Sequence, residues 1–121
     1  MRKRIYIAED IEDLRETVSE IYHNHGYGVE GFRNGELLLK RIHDGSEMPD
    51  LVVTDVWMPI LDGIRVTKKL RRDARTRNIK IIAMSADAGS KQCLEAGADA
   101  HMEKPFGIEE LISKTRMLLN Q

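Results

Sequence analysis

Four side chains in this 121-residue sequence could do chemistry together: the carboxylates of Glu9, Asp10 and Asp55 and the ammonium of Lys104. The hydroxyl of Ser85 could join them. Three carboxylates in one crevice repel one another and raise one another's pKa, a cost that a divalent cation removes. A few hard oxygen donors on an open edge suit Mg²⁺, which keeps several waters and takes one or two carboxylates plus a phosphate. A carboxylate held there beside a lysine is a nucleophile toward phosphorus. The cation and Lys104 would spread the charge on the equatorial oxygens, with the Ser85 hydroxyl donating to one of them. The product would be an aspartyl phosphate at Asp55.

This chemistry requires the five residues to meet, so the elements that carry them come next. Ile5 to Ala8 is a continuous apolar run, as in a strand buried on both faces, and Glu9-Asp10 follows it directly. Ile11, Leu14, Val18, Ile21 and Tyr22 recur at helical spacing until Gly26-Tyr27-Gly28 stops them. Gly28 to Phe32 reads as a second, weaker strand, and Asn34 as the N-cap of the helix after it. Leu51 to Thr54 is the third strand, with Asp55 directly after it. A loop then holds Met58-Pro59 and Asp62-Gly63, and a helix runs to about Arg72. Ile79 to Met84 predicts the fourth strand, ending at Ser85. A short helix near Ser90 to Glu95 stops at Gly97, and Ala100 to Glu103 is a short fifth strand followed by Lys104. Ile108, Leu111, Ile112, Thr115, Leu118 and Leu119 define a last amphipathic helix.

Five βα units in succession predict an α/β fold, a parallel sheet with helices on both faces. Right-handed crossovers leave the doubly wound, flavodoxin-like order 2-1-3-4-5 as the leading topology, with its site beyond the carboxyl ends of strands one and three. All five chemical residues land on that edge.

Composition sets the frame. A chain of this length fits one domain, residues 1–121, and can bury a core without a disulfide or a structural metal. The net charge of −1 gives no bulk reason to expect nucleic acid or an anionic membrane as partner. Cys93 is the single cysteine, which points to a reducing compartment. The apolar run after Met-Arg-Lys-Arg is too short for a secretory signal, and no run is long enough to span a bilayer. A cytoplasmic protein is expected.

Glu9-Asp10, Asp55 with Met58-Pro59 and Asp62-Gly63, Ser85-Ala86, Ala96-Gly97-Ala98-Asp99 and Lys104-Pro105-Phe106 stand in order at successive strand ends. From about Lys3 to Leu119 the sequence resembles the receiver domain of two-component response regulators. The resemblance implies that Asp55 accepts a phosphoryl group from a histidine kinase or a histidine phosphotransfer protein. It implies Mg²⁺ on Asp10, Asp55 and the backbone carbonyl of Trp57, with Glu9 helping through water, and a cis peptide at Lys104-Pro105. It also implies a switch in which Ser85 moves toward the phosphoryl group and the residue three before the lysine turns inward, changing the surface formed by the fourth helix, fifth strand and fifth helix. That residue is His101 where most relatives carry Tyr or Phe, so a titratable ring enters the switch. Trp57 is a bulky choice two residues after the acceptor and is expected to shield an acyl phosphate from water.

Other motifs have blander explanations. Gly26 to Gly31 matches G-x-G-x-x-G, but it follows a helix and leads into a strand, the reverse of a dinucleotide site. His23, His25 and His43 lack partners at metal-ligand spacing and read as surface residues. Cys93 reads as a small apolar group under a short helix. The basic stretch Lys68, Lys69, Arg71, Arg72, Arg75 and Arg77 reads as a solvated helix end.

Three functions compete on these residues. The first is a phosphorylation-controlled binding module acting on a downstream effector or an output domain, with homodimerisation on phosphorylation as one outcome. The second is a phosphatase of the haloacid dehalogenase type, which needs a second Asp two residues after the nucleophile; here that position is Trp57. The third is a scaffold that never takes phosphate; such chains usually lose an acid or the lysine, and this one keeps all of them.

Overall fold

The computed structural model describes residues 2–45, 47–87 and 89–121. Strands β1 (Arg4–Ala8), β2 (Gly28–Phe32), β3 (Leu51–Asp55), β4 (Lys80–Ser85) and β5 (Ala100–Glu103) alternate with helices α1 (Glu12–Asn24), α2 (Gly35–Asp44), α3 (Gly63–Arg72), α4 (Gly89–Ala96) and α5 (Ile108–Leu118). The sheet has the expected order β2-β1-β3-β4-β5. Every neighbouring pair is parallel, with Ile5 beside Leu51, Asp55 beside Met84 and Ser85 beside Glu103.

Period-2 alternation sorts the strand residues onto two cores. Ile5, Ile7, Leu51, Val53, Ile82 and Met84 pack with Val18 and Tyr22 of α1 and Leu111 and Ile112 of α5. Tyr6, Ala8, Val52 and Ile81 point the other way, onto Leu38 and Ile42 of α2 and Val66 and Leu70 of α3. Each such aliphatic side chain contributes about 1.5–3 kcal/mol on burial, which holds the central strands rigidly under the site. A small third cluster of Val56, Ala83 and Cys93 seats α4.

Local signals place the helix ends. The Asn34 side chain accepts from the Leu37 amide at 2.9 Å, so it is the N-cap that the sequence suggests. Asp62 caps α3 in the same way through Arg65, at 2.9 Å. At the end of α1, Gly26 takes φ +90° and the Tyr27 amide reaches back to the Tyr22 carbonyl at 3.1 Å. This is a left-handed helix stop, and it accounts for the first glycine of the G-x-G-x-x-G match.

Two of the differences from the expected boundaries bear on the site. Ile11 belongs to the exposed N-cap of α1, 56% accessible, and not to its apolar face. The reason is the turn that carries Glu9 and Asp10 over the sheet edge, which uses up that residue before the helix begins. Asp55 is the last residue of β3 and not the first beyond it.

The loop after β3 contains an unfavourable conformation. Ile60 has φ +72°, and the Leu61 amide donates to the Pro59 carbonyl at 2.8 Å around it. The left-handed region costs a β-branched residue about 1–2 kcal/mol, while glycine in the same place loses about 0.5–1 kcal/mol of chain entropy. Ile60 is 68% exposed, so little burial is at stake. Ile60→Gly is therefore expected to stabilise the fold by roughly 0.5 kcal/mol, read as a higher urea midpoint; a lower midpoint would refute this account.

Candidate functional site

The carboxyl ends of β1, β3 and β5 meet at one point. Ala8 ends β1, and the Glu9 amide donates to the Phe32 carbonyl at 3.0 Å, so β2 fixes where the chain turns off the sheet. Glu9 is fully buried, Asp10 beside it is exposed, and Asp55 is only 6% accessible. Carboxylate oxygens of these three residues all lie within 4.8 Å of one another. Lys104, leaving β5, puts its Nζ 2.9 Å from Glu9 Oε1 and 3.2 Å from Asp55 Oδ1. The expected meeting of Glu9, Asp10, Asp55 and Lys104 is thus present in the geometry.

Their electrostatics follow from burial. Loss of solvent pushes the carboxyls of Glu9 and Asp55 above their ordinary range; Lys104 opposes this in both, and Asp10 adds to it at Asp55. For Lys104 burial works against the charge, but its hydrogen bond to Glu9 and the charge of Asp55 outweigh it and raise the ammonium's pKa. The second Glu9 oxygen accepts from the Ile11 amide at 3.2 Å, and the Glu9 carbonyl accepts from Arg15 at 2.8 Å. One ammonium facing three carboxylates leaves a negative excess on an open edge. The donors are all carboxylate oxygens and one of the three is exposed, so the set fits a hard divalent cation that keeps waters.

Ser85 ends β4 as expected, but its hydroxyl is engaged elsewhere. It donates to Asp87 Oδ1 at 2.7 Å, and the Asp87 amide lies 3.1 Å from the Ser85 oxygen. The same carboxylate accepts from the Trp57 indole at 3.0 Å and from the Gly89 amide at 2.8 Å. The backbone bond to Gly89 and the Ser85 and Trp57 donors hold the Asp87 carboxyl below its ordinary range. Sequence reasoning missed Asp87. The available signal was an Asp two residues past the hydroxyl and two before the glycine that opens α4, the position of a helix-capping turn.

Trp57, two residues past Asp55, is 46% exposed with its ring turned to Asp87. His101 is exposed on β5, opposite in pleat to the buried Met102. The Lys104-Pro105 peptide is cis.

The remaining motifs settle into structural places. His23, His25 and His43 are exposed, and His25 Nδ1 lies 2.8 Å from the Ile21 carbonyl. Cys93 is fully buried, and burial pushes its thiol up to about 11. Within the basic stretch Arg71 is not simply solvated: it donates to the carbonyls of Gly97 and Ile79 and to Asp99, at 2.9, 2.6 and 2.8 Å. Asp99 also accepts from the Ile81 amide at 2.8 Å, so the Gly97-to-Asp99 segment ties α3 to the start of β4.

A doubly wound parallel sheet of this order, with an acidic cluster and a lysine at its carboxyl edge, defines a receiver-type signalling domain. The chain belongs to the response regulator receiver domain family, whose model matches residues 5–116. It is 35% identical over 122 residues to the response regulator MprA of Mycolicibacterium vanbaalenii, covering 100% of this chain and 52% of that protein. It thus spans about half the length of the curated relatives it matches. A CheY-like receiver domain protein from Methanospirillum hungatei superposes with a TM-score of 0.90 at 27% identity, over 99% of this chain and 95% of the other. The receiver domain of a sensor histidine kinase from Pseudomonas aeruginosa has the same fold, with a TM-score of 0.91 at 23% identity and full coverage of both chains (100% each). That structure holds a magnesium ion in its active-site cleft. Among the described residues, no helix is long and apolar enough to cross a membrane.

Proposed function

We propose that residues 1–121 act as a single phosphoacceptor unit in which Asp55 takes a phosphoryl group from the phosphohistidine of a histidine kinase or a histidine phosphotransfer protein. The observation that carries this reading is the nearly buried Asp55 carboxylate, clustered with Glu9 and Asp10 and bridged to Glu9 by Lys104. In the transfer an Asp55 oxygen forms the new bond to phosphorus, and the P–N bond to the donor imidazole breaks. Lys104 is positioned to stay with the phosphoryl oxygens as they arrive, because Asp55 is already its partner. Asp10, Asp55 and the Trp57 carbonyl would hold Mg²⁺, with Glu9 helping through water. Bound there, the ion would supply charge neutralisation at the phosphoryl oxygens.

Ser85 is the hydroxyl donor for the third oxygen, and its movement is the start of the switch. His101 lies one strand away, paired with Ala83, and would follow into the space that Ser85 leaves. The changed α4-β5-α5 surface then controls an effector protein or an output domain, in a cytoplasmic setting, with a homodimer of phosphorylated copies as one form of output. The domain catalyses only its own phosphorylation and dephosphorylation.

Intact-mass analysis after incubation with acetyl phosphate tests the reading. One added phosphoryl group is expected with Mg²⁺ and none in chelator. A folded protein that takes no phosphoryl group under either condition would overturn the acceptor assignment and leave a scaffold role.

A further inference from the structure

Among the described residues, the Asp87 carboxylate gathers three donors from three different places. The Trp57 indole comes from the loop after the acceptor, the Ser85 hydroxyl from the end of β4, and the Gly89 amide from the first turn of α4. The packing around this hub is close. A Cβ on Gly89 would come within 2.7 Å of the Trp57 Nε1 and 2.9 Å of Val56 Cγ1, so only glycine lets the indole lie across the start of α4.

A serine hydroxyl carries one hydrogen. While Ser85 donates it to Asp87, that hydrogen is not available to a phosphoryl oxygen on Asp55. Asp87 and an acyl phosphate therefore compete for the same donor, and only one of them can have it at a time.

We propose that Asp87 is a positioning residue that holds Ser85 back from the acceptor and, by the same carboxylate, pins Trp57 and the N-terminus of α4. Phosphorylation of Asp55 draws Ser85 away. Asp87 then keeps two donors of three, and its hold on the indole and on the first turn of α4 weakens. The hub thus turns occupancy at the acceptor into freedom of α4, the helix that flanks the output surface. This inference rests on Asp55 being the acceptor and adds the residue that restrains it.

A double-mutant comparison tests it. Phosphorylation by acetyl phosphate and Mg²⁺ is followed in the parent, Asp87→Ala, Ser85→Ala and the double variant, with the Trp57 indole proton observed by NMR in each. Asp87 is exposed, so its removal leaves the core intact. Freeing Ser85 from a hydrogen bond is expected to speed phosphorylation about threefold or more in Asp87→Ala. The double variant should be no faster than Ser85→Ala, because the gain acts through the hydroxyl. The indole proton should exchange with solvent slowly in the unphosphorylated parent and fast in Asp87→Ala and in the phosphorylated parent. Equal exchange in parent and Asp87→Ala, or a rate gain that persists without the Ser85 hydroxyl, overturns the restraint while leaving Asp55 as acceptor. Absence of an adduct in all four folded proteins overturns the acceptor reading itself, and the restraint with it.

Discussion

Asp55→Asn is expected to abolish the phosphoryl adduct and, at neutral pH, to make the fold more stable. The first effect follows from chemistry, since a carboxamide is not a nucleophile toward phosphorus at neutral pH. The second follows from burial. Asp55 is 6% accessible and shares one ammonium with the buried Glu9. Neutralising it removes a poorly solvated charge while Lys104 keeps Glu9 at 2.9 Å. The gain should be roughly 1 kcal/mol, a melting temperature higher by about 3–5 °C. Its pH dependence has a definite sign. A carboxyl whose folded pKa is raised binds its proton more tightly in the native state, so its stabilising contribution is complete below the unfolded value and falls as pH rises through the folded value. For Asp55 that fall begins near the ordinary aspartate value of 3.8 and runs upward. The variant lacks this fall, so its advantage should be absent at acid pH and grow above it. Thermal melts of both proteins across that range check the sign; an advantage largest in acid would contradict it.

Gly63→Ala is expected to destabilise the protein by about 2–4 kcal/mol, the largest loss from adding a single methyl group near the site. Gly63 opens α3 directly under the acceptor strand. A Cβ there would stand 2.3 Å from the Asp55 carbonyl oxygen and 3.1 Å from Val56 Cα, both of them backbone atoms that cannot rotate aside. Relief would require α3 to withdraw, breaking the 2.8 Å bond from the Gly63 amide to the Val56 carbonyl. Urea unfolding reads the loss directly. The phosphorylation rate of the fraction that remains folded should also fall, because the backbone that aims Asp55 is the part displaced. A midpoint equal to the parent's would show that α3 can shift at little cost.

The fold was legible because its signal is repeated. Runs such as Ile5 to Ala8 and Leu51 to Val53 leave little choice for strands buried on both faces, and five of them separated by helical patterns fix a wound sheet. The acids and Lys104 were legible because each stands at the end of such a run. What lay beyond the sequence were relations set by tertiary placement. Ile11 has an apolar side chain in helical phase, yet the turn after Glu9 leaves it exposed. Arg71 sits in a basic run, yet it is drawn in by the carbonyls of Gly97 and Ile79. Asp87 looks like any loop acid until Trp57, thirty residues earlier, is seen to reach it. No local pattern encodes a contact at that separation.

The strand order has a bearing on how the site comes into being during synthesis. β1 lies between β2 and β3, so the first three strands can associate as soon as residue 55 has emerged, and the rest of the sheet only extends them on one side. Glu9, Asp10 and Asp55 all belong to that early-born part, whereas Lys104 follows the last strand. In a chain translated from its N-terminus the three acids are therefore made before their built-in counter-ion. A nascent chain stalled short of β5 would depend on ions from its surroundings to do what Lys104 later does from within.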